Sequence, residues 1–246
     1  MKYISDQQGI MERYLCEASG WDSHLKRTRA FILNCIQKYS PSSVMILGSG
    51  WLLDIPVDEL NEACDRVLLV DICHPVQIHK KIKKLTNCQL IYADLTGGAV
   101  ENTYRFIQTF KKSGKKESLD QIDFYDTLPD HKVAYTISVN VLNQLDILLV
   151  DYIRRFIEYP DVEIKKFRKR IQEYHLSLLK PGESCLISDQ EEIIINKRKP
   201  HIQTKKLLYA NLPAGIKKQH WKWMFDKEGV YNEGCNTEFN VIAIEL

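Results

Sequence analysis

Two glycines flank a serine directly after the first wholly apolar stretch of the chain. This stretch is Val44 to Leu47, and Gly48-Ser49-Gly50 follows it. Glycines at a strand-to-helix turn permit positive φ and close approach of a ligand to the backbone, and the amides that start the next helix then face the ligand. A lone G-x-G is equally typical of an ordinary tight turn, so its interpretation depends on the strands beside it.

An acidic residue ends each of the next two apolar stretches. Asp71 ends Val67 to Asp71 and lies 21 residues after Gly50, a spacing at which a carboxylate accepts hydrogen bonds from both ribose hydroxyls. Asp94 ends Leu90 to Asp94, where a carboxylate can accept a hydrogen bond from an adenine amino group. For each acid the alternative is a cap on the helix that follows the strand.

A fourth stretch, Lys132 to Ile137, is also followed by polar residues. It is expected to lie beside the first strand, across the reversal of strand order at which ligands bind in such sheets. Asn140, Asn143 and Gln144 offer amides that either hold a ligand or satisfy loop backbone, and both interpretations stay open. Tyr135 is a second catalytic candidate beside Asn140, but it lies inside the strand and is expected to be in the core.

Short apolar runs alternate with segments of helical character, and this alternation predicts the fold class. The further runs are Arg66 to Val70, Gln89 to Tyr92, Lys132 to Ile137 and Ser184 to Ile187. Wholly apolar runs suit strands buried on both faces, and strands that alternate with helices predict βαβ units. We therefore expect an α/β fold with a doubly wound, mostly parallel sheet.

The remaining segments complete this outline. Residues 8–38 predict two helices, and residues 162–179 predict a helix with one apolar stripe. Trp221 to Phe225 and Phe239 to Leu246 predict two strands that close the sheet as an antiparallel hairpin. The polar segment 111–131 is expected to be a solvated excursion or a lid.

Composition places the chain among ordinary globular proteins. It has 246 residues, 44% apolar and 27% charged, and we divide it into an N-terminal helical extension, 1–40, and an α/β domain, 41–246. The net charge of +2 is too small to predict nucleic-acid binding. The seven cysteines include no C-x-x-C pair, which predicts reduced thiols and a cytoplasmic protein. The polar N-terminus predicts no signal peptide, and no run reaches the ~18 apolar residues of a membrane span.

With these elements in order, the chain resembles the class I S-adenosylmethionine-dependent methyltransferases. The resemblance is carried by Val44 to Gly50, Val67 to Asp71 and Ala93-Asp94 as successive motifs, and by Leu178 to Glu183 before the fifth strand. The closing hairpin is similar to the terminal strands of that family. The resemblance covers roughly residues 40–246 and implies a seven-stranded sheet with one antiparallel strand.

The resemblance also implies S-adenosylmethionine as the cofactor and a role for each motif. Gly48, Ser49 and Gly50 would approach its methionine part, Asp71 with Ile72 its ribose, Asp94 with Leu95 its adenine, and Ser138 to Asn140 its reactive end. Methyl transfer is a direct displacement, so the protein mainly positions two reactants and needs no nucleophile of its own. The N-terminal helices and segment 195–218 are expected to cover the cleft and select the substrate.

Two positions depart from the family pattern. Ile46 stands where the family usually has an acid, and Leu52 stands where it often has a third glycine. These departures keep a second hypothesis open, in which the protein is a non-catalytic or repurposed relative that binds a nucleoside. The third hypothesis is a nicotinamide-dependent oxidoreductase, which is disfavoured because Leu53 occupies the last position of G-x-G-x-x-G. For the leading hypothesis, methyl transfer, the acceptor is expected to be a small molecule.

Other groups of polar residues have plainer explanations. Cys73, His74 and His79 lack a fourth ligand at metal spacing, so no metal site is predicted. His175 is expected to lie in the core or at its boundary. The basic residues within 165–170 and 197–199 are expected on solvated faces, with a weak RNA or phosphate contact as the alternative. The oligomeric state is not predicted.

Overall fold

The computed structural model describes residues 3–128, 132–198 and 201–246. The helices are α1 (Tyr3–Tyr39), α2 (Val57–Ala63), α3 (Val76–Ile82), α4 (Ala99–Ser113), α5 (Ile147–Arg154) and α6 (Asp161–Ser177), with a 3-10 turn at Leu119–Gln121. The strands are β1 (Ser43–Leu47), β2 (Arg66–Asp71), β3 (Cys88–Tyr92), β4 (Tyr135–Val139), β5 (Ser184–Asn196), β6 (Ile202–Lys206), β7 (Lys217–Asp226) and β8 (Cys235–Glu245).

All strands belong to one sheet in the order β3-β2-β1-β4-β5-β8-β7, with β6 paired to β5. Strands β1 to β5 are parallel, and β8 runs antiparallel between β5 and β7. This confirms the doubly wound, mostly parallel sheet and its closing hairpin. Among the described residues, the expected seven strands become eight because β6 adds a second antiparallel strand to β5.

Strand β6 was not predicted from the sequence because its residues are exposed on both faces. Every residue of Ile202–Lys206 is exposed, so the alternation that normally marks a strand is absent there. In β1, by contrast, Val44 and Ile46 belong to one buried cluster and Met45 and Leu47 to another. A strand that is covered on both faces in this way produces the apolar run seen in the sequence.

Helix α1 is longer than expected and bends once. The two helices expected in 8–38 are present and meet end to end at a kink, where Glu17 has a non-helical backbone (φ −112°, ψ 18°). A carboxylate oxygen of Glu17 accepts hydrogen bonds from the amides of Lys227 and Glu228, both at 2.9 Å. After the bend, Phe31 and Ile32 are buried in the core against the sheet. The bend therefore lies where the helix leaves the core.

The turn after β1 differs from the expected strand-to-helix turn. Helix α2 begins at Val57, preceded by Pro56, and does not start at Gly50. Leu52 has a left-handed backbone (φ 57°), which interrupts any helix at this point. The amides of the glycine turn are therefore not the first turn of a helix.

Three other sequence expectations change in the structure. Strand β4 begins at Tyr135, three residues later than expected, and β5 continues to Asn196. The segment 111–131 is not wholly solvated, because Leu119 and Ile122 are buried and the guanidinium of Arg170 donates to their carbonyls at 3.1 and 2.9 Å. Residues 129–131 of that segment lie outside the described residues.

Within the described ranges, every helix is too short or too polar to cross a bilayer.

Candidate functional site

A cavity of about 510 Å³ lies at the edge of the sheet where β1, β2 and β4 end. This volume lies within the ~300–1,000 Å³ of small-molecule sites. Nearly all the predicted cofactor residues line it, namely Gly48, Ser49, Gly50, Asp71, Ile72, Asp94, Leu95 and Asn140. The strand order places the glycine turn and Asp71 towards one end of the cavity, and β5 and β8 towards the other.

Ser138 is the exception among the predicted residues. It is fully buried, its hydroxyl lies 2.8 Å from Nε2 of His175, and it is not among the described residues that line the cavity. Strand alternation explains this placement, because Val139 and Ser138 point to opposite faces of β4. His175 is itself fully buried, so it belongs to the core as expected.

Tyr135 lies far from the cavity edge, at the amino end of β4. It is buried, and its ring packs against Tyr39 with ring centroids 5.2 Å apart. Active-site residues of parallel sheets come from the carboxyl ends of strands. The catalytic candidacy of Tyr135 is therefore withdrawn, and Tyr135 is a core residue.

The glycine turn is tightly packed at its first position and less tightly packed at its third. Gly48 has φ +87°, and a Cβ there would lie 2.5 Å from Cβ of Val141 and 2.8 Å from the carbonyl of Val139. Any side chain at position 48 would therefore force β1 and the end of β4 apart. At Gly50 (φ +40°) the nearest atoms to such a Cβ belong to Gln7, at 3.5 Å or more.

Asp71 is tied to the glycine turn by its carboxylate. One oxygen accepts a hydrogen bond from the amide of Gly50 at 2.9 Å, and the other accepts one from the amide of Cys73 at 3.4 Å. Burial raises the pKa of Asp71, while these amides act in the opposite direction. Each oxygen of a carboxylate can accept more than one hydrogen bond, so Asp71 keeps acceptor capacity for a ligand hydroxyl.

Asp94 has the capping role that was its alternative interpretation. Its carboxylate accepts hydrogen bonds from the amide and hydroxyl of Thr96, at 2.8 and 2.5 Å, and from the amide of Val100 at 3.3 Å. Val100 belongs to the first turn of α4, so the acid satisfies amides at the start of that helix. Asp94 nevertheless lines the cavity.

Asn140 is held in a left-handed conformation (φ 48°) at the centre of a chain of buried polar groups. Its side-chain amide lies 3.1 Å from Nε2 of His24 and 2.6 Å from a carboxyl oxygen of Asp54. Nδ1 of His24 accepts the indole N–H of Trp221 at 3.1 Å. Burial lowers the pKa of His24 to about 3, so this imidazole is neutral near pH 7.

The indole of Trp221 selects the tautomer of His24. An indole N–H can only donate, so the neutral ring of His24 carries its own proton on Nε2. The side-chain amide nitrogen of Asn140 donates to the carboxyl of Asp54, a hydrogen bond that lowers the pKa of Asp54 while burial raises it. The side-chain oxygen of Asn140 has no partner among the described residues.

The first turns of α1 cover the glycine turn, which sequence reasoning did not resolve to individual residues. The backbone carbonyl of Gln7 accepts the indole N–H of Trp51 at 2.6 Å, and the Gln7 side chain lies over Gly50. Ile10, Arg13 and other α1 residues also line the cavity. The expectation that the N-terminal helices cover the cleft is thus met by the early part of α1.

The far end of the cavity combines aromatic rings with charged groups from β5 and β6. Trp223, Phe225 and Phe239 line it, with ring centroids 5.0 Å apart for Trp223–Phe225 and 4.8 Å for Phe225–Phe239. Two acids of β5, Asp189 and Glu192, line the same region. Sequence reasoning missed both acids because it ended β5 at residue 187, before the β-bulge at Asp189.

Several polar atoms in the cavity wall have no hydrogen-bond partner among the described residues. They are Oε1 of Gln7, Oγ of Ser49, one amide atom of Asn140, Oδ1 of Asp189 and Nε1 of Trp223. Each such buried atom costs about 1–3 kcal/mol, so several in one cavity indicate a ligand that pairs with them.

The charge of the cavity wall is predominantly acidic. The carboxyl groups are those of Asp54, Asp71, Asp94, Asp189 and Glu192, and the cationic groups are those of Arg13 and Lys205. Lys205 forms an ion pair with Glu192 at 3.2 Å. The site therefore suits a ligand with positive charge better than a phosphate-rich one.

The basic residues of α6 do not form a free cationic face. Arg168 pairs with the buried Asp146 at 2.9 Å, and Arg170 is engaged with backbone carbonyls as described above. The expectation of a solvated face therefore fails for these two arginines. In the other basic group, residue 199 lies outside the described residues.

Across the described residues, no cluster of three or more His, Cys, Asp or Glu side chains is placed to hold a metal ion.

Comparison with known proteins gives matches among solved structures alone. No protein-family model matches the chain, and no curated protein matches it. The DhpI-SAM-HEP complex is 11% identical, with a TM-score of 0.41, covering 97% of this chain and 95% of that chain. The N-methyltransferase NodS from Bradyrhizobium japonicum WM9 with S-adenosyl-L-homocysteine is 9% identical, with a TM-score of 0.38, covering 88% and 85%.

A third match is the 1,6-didemethyltoxoflavin-N1-methyltransferase of Burkholderia thailandensis, with bound 1,6-didemethyltoxoflavin and S-adenosylhomocysteine. It is 10% identical, with a TM-score of 0.34, covering 98% of this chain and 90% of that chain. At such identities the roles of residues are argued from this chain alone. Its own strand order, its antiparallel β8 between β5 and β7, and its glycine turn after β1 give the chain the fold of the class I S-adenosylmethionine-dependent methyltransferases.

Proposed function

We propose that the protein transfers a methyl group from S-adenosylmethionine to a small-molecule acceptor. The observation that carries this proposal is one continuous cavity with two chemically different ends. One end has the glycine turn and Asp71, and the other has aromatic rings and the acids of β5. A two-reactant displacement needs this arrangement, because both partners must lie in line within one site.

The residues present fit the proposed cofactor. Gly50 lies beside the side chains of Gln7 and Asp71, and Asp71 keeps acceptor capacity for ribose hydroxyls. The hydroxyl of Ser49 and Oε1 of Gln7, unpartnered among the described residues, lie at the turn where the methionine part would bind. The acidic wall would also favour a sulfonium cation over its neutral thioether product.

In this proposal the cofactor supplies an activated methyl group, and the chain binds, orients and shields. Asp71 and Ile72 would hold the ribose, and Asp94 and Leu95 would lie beside the adenine. Because the carboxylate of Asp94 already caps α4, its contribution to adenine binding is expected to be small. The side-chain oxygen of Asn140, which has no partner among the described residues, would accept a hydrogen bond from a ligand at the junction between the two ends. The start of α1 would exclude water from the turn.

The nicotinamide alternative is less well supported by the same site. A dinucleotide pyrophosphate binds at a helix N-terminus that follows the glycine turn directly. Here α2 begins at Val57, and the acids of the wall would repel two phosphates. In the non-catalytic alternative, the protein binds the same ligand at the glycine turn and Asp71. That alternative differs from the proposal because it predicts no methyl transfer to any acceptor.

Calorimetric titration with S-adenosylmethionine, S-adenosylhomocysteine and NAD tests the proposal. We expect micromolar binding of the adenosyl ligands and no binding of NAD. Asp71→Asn should weaken the adenosyl ligands about 10–100-fold, because hydrogen bonds to a charged group contribute about 1.5–3 kcal/mol. Asp58→Asn is the matched control, since Asp58 is an exposed acid of α2 that pairs with Lys81.

The outcomes separate the hypotheses. Failure of folded wild-type protein to bind either adenosyl ligand would contradict the proposal. Binding of NAD in their place would favour the oxidoreductase. Adenosyl binding without methyl transfer to any acceptor in a broad panel would favour the non-catalytic module.

A further inference from the structure

Asp189 is the most unusual carboxyl group of the cavity wall. It is only 2% exposed, and one oxygen accepts a hydrogen bond from the side-chain amide of Asn143 at 3.2 Å. The other oxygen has no partner among the described residues, although the carboxyl lines the cavity. A buried acceptor of this kind is costly unless a ligand donates to it.

The position of Asp189 is set by a local irregularity of the sheet. The register between β5 and β8 shifts between Asp189 and Glu191, as in a β-bulge. Bulges redirect a side chain and are common next to active sites. Because β5 neighbours β4, Asp189 lies next to the proposed junction at Asn140 and on the acceptor side of it.

The groups that face Asp189 leave it as the acid able to exchange a proton near neutral pH. Asp54 on the turn after β1 accepts a hydrogen bond from the side-chain amide of Asn140, and its nearby carboxyl also acts to raise the pKa of Asp189, while His24 of α1 is neutral. Burial raises the pKa of Asp189 to about 7. The remaining charged or titratable groups at this end are Arg13 of α1, Glu192 of β5, Lys205 of β6 and Tyr231 of the β7–β8 loop. Glu192 and Lys205 pair with each other, and burial raises the pKa of Tyr231.

Aromatic rings line the same end of the cavity as this carboxyl. Trp223 and Phe225 meet edge to face, and Tyr231 meets Phe225 in the same way with centroids 5.0 Å apart. The guanidinium of Arg13 lies over the rings of Phe225 and Tyr231 at 5.0 and 4.7 Å. Aromatic walls of this kind favour a planar ring. Nε1 of Trp223, which lacks a partner among the described residues, adds one donor.

We infer that this end of the cavity binds a flat aromatic acceptor that carries an O–H or N–H group, and that the carboxylate of Asp189 takes the proton of that group. The inference rests on the proposed function. The lone pair of the acceptor oxygen or nitrogen forms a bond to the methyl carbon, and the carbon–sulfur bond breaks with its electron pair left on sulfur. The acceptor proton moves to Oδ1 of Asp189 and then to solvent after the products leave.

The test measures binding of probe pairs to protein saturated with S-adenosylhomocysteine. Phenol with anisole and indole with N-methylindole differ within each pair by the proton that Asp189 would take. We expect phenol and indole to bind at least about tenfold more tightly than their methylated partners, because the latter leave a buried charged acceptor unpaired. Phenol affinity should rise as the pH increases from about 5.5 to 8.5, as Asp189 ionises.

Two variants make the test specific. Asp189→Asn should keep the affinity for S-adenosylhomocysteine, lose the pH dependence of phenol binding and remove a carboxyl signal that titrates near neutral pH in carbon-13 NMR. Asp146→Asn is the control, because Asp146 is a second buried acid that is not among the described cavity residues. Asp146→Asn should leave unchanged both the affinity for phenol and the dependence of that affinity on pH.

The results distinguish failure of this inference from failure of the proposed function. If wild-type protein does not bind S-adenosylhomocysteine, the proposed function itself fails. If that ligand binds but phenol and anisole bind equally, or Asp189→Asn retains the pH dependence, Asp189 is not the proton acceptor. Absence of binding by every planar probe to the saturated protein would overturn the assignment of the aromatic acceptor.

Discussion

At the scale of single residues, Asp189 shows how a functional position opposes stability. Its carboxyl is buried without a cation partner among the described residues, so the folded protein favours the protonated form. The folded pKa is raised from 3.8 to about 7. Its protonated form therefore stabilises the fold below about pH 4, and this stabilisation is lost as the pH rises to about 7.

Replacement of Asp189 by Asn should stabilise the protein at alkaline pH. The variant has no carboxyl to ionise, so we expect its free energy of unfolding to exceed that of the wild type at pH 8, by up to about 4 kcal/mol. The two proteins should differ much less near pH 4. Urea denaturation at both pH values measures the difference. Equal stabilities at pH 8 would mean that Asp189 is solvated or paired in the folded protein.

At the scale of elements, α1 performs two tasks on either side of Glu17. The residues before the bend contact the glycine turn through Gln7, and the residues after it, such as Ile32, are buried in the core. A helical segment that only covers a site buries little apolar surface. Truncation of a large core side chain to Ala, in contrast, lowers the free energy of unfolding by about 2–5 kcal/mol. The two halves should therefore respond differently to change.

Deletion of residues 1–12 should weaken ligand binding more than it weakens the fold. We expect the dissociation constant of S-adenosylhomocysteine to rise at least about tenfold, which corresponds to a loss of about 1.4 kcal/mol of binding free energy. The free energy of unfolding should change by less than about 2 kcal/mol. Calorimetry and urea denaturation measure the two effects.

Ile32→Ala is the matched comparison within the same helix. It should lower the free energy of unfolding by about 2–5 kcal/mol and leave the affinity of the folded protein unchanged. A deletion variant that binds as tightly as the full chain would show that the start of α1 does not belong to the ligand site.

The elements that could be predicted from sequence are those whose burial leaves a pattern. Strand β1 and helix α6 are buried in a regular way, so apolar runs and a 3.6-residue stripe identified them. Strand β6 is exposed throughout and left no pattern. Gly48 and Asp71 were predictable because they adjoin strand ends. Asp189 was not, because a polar residue in mid-strand looks like the end of a strand.

At the scale of the whole molecule, two of the buried histidines, His24 and His175, oppose the buried Asp189 in the dependence of stability on pH. Burial lowers the pKa of His24 to about 3 and that of His175 to about 4. The unfolded chain binds protons on both below about pH 6.5, whereas the folded chain does not. Each histidine therefore makes stability rise with pH between about 4 and 6.5, opposite in sign to Asp189.

Replacement of His175 by Gln should expose this balance. The slope of unfolding free energy against pH between about 4.5 and 6 should fall by up to about 1.4 kcal/mol per pH unit relative to the wild type, because one proton-binding site of the unfolded chain is gone. Denaturation at several pH values measures both slopes. An unchanged slope would mean that His175 titrates in the folded protein as it does in the unfolded chain.

The bend at Glu17 also has a consequence for how the protein can vary. It is fixed to the β7–β8 loop by the amides of Lys227 and Glu228, which anchor the helix between the part that lines the cavity and the part that is buried in the core. Substitutions before the bend would change how long a ligand remains bound, with little effect on the lifetime of the fold. The residence time of the ligand and the stability of the fold can thus evolve separately within one helix.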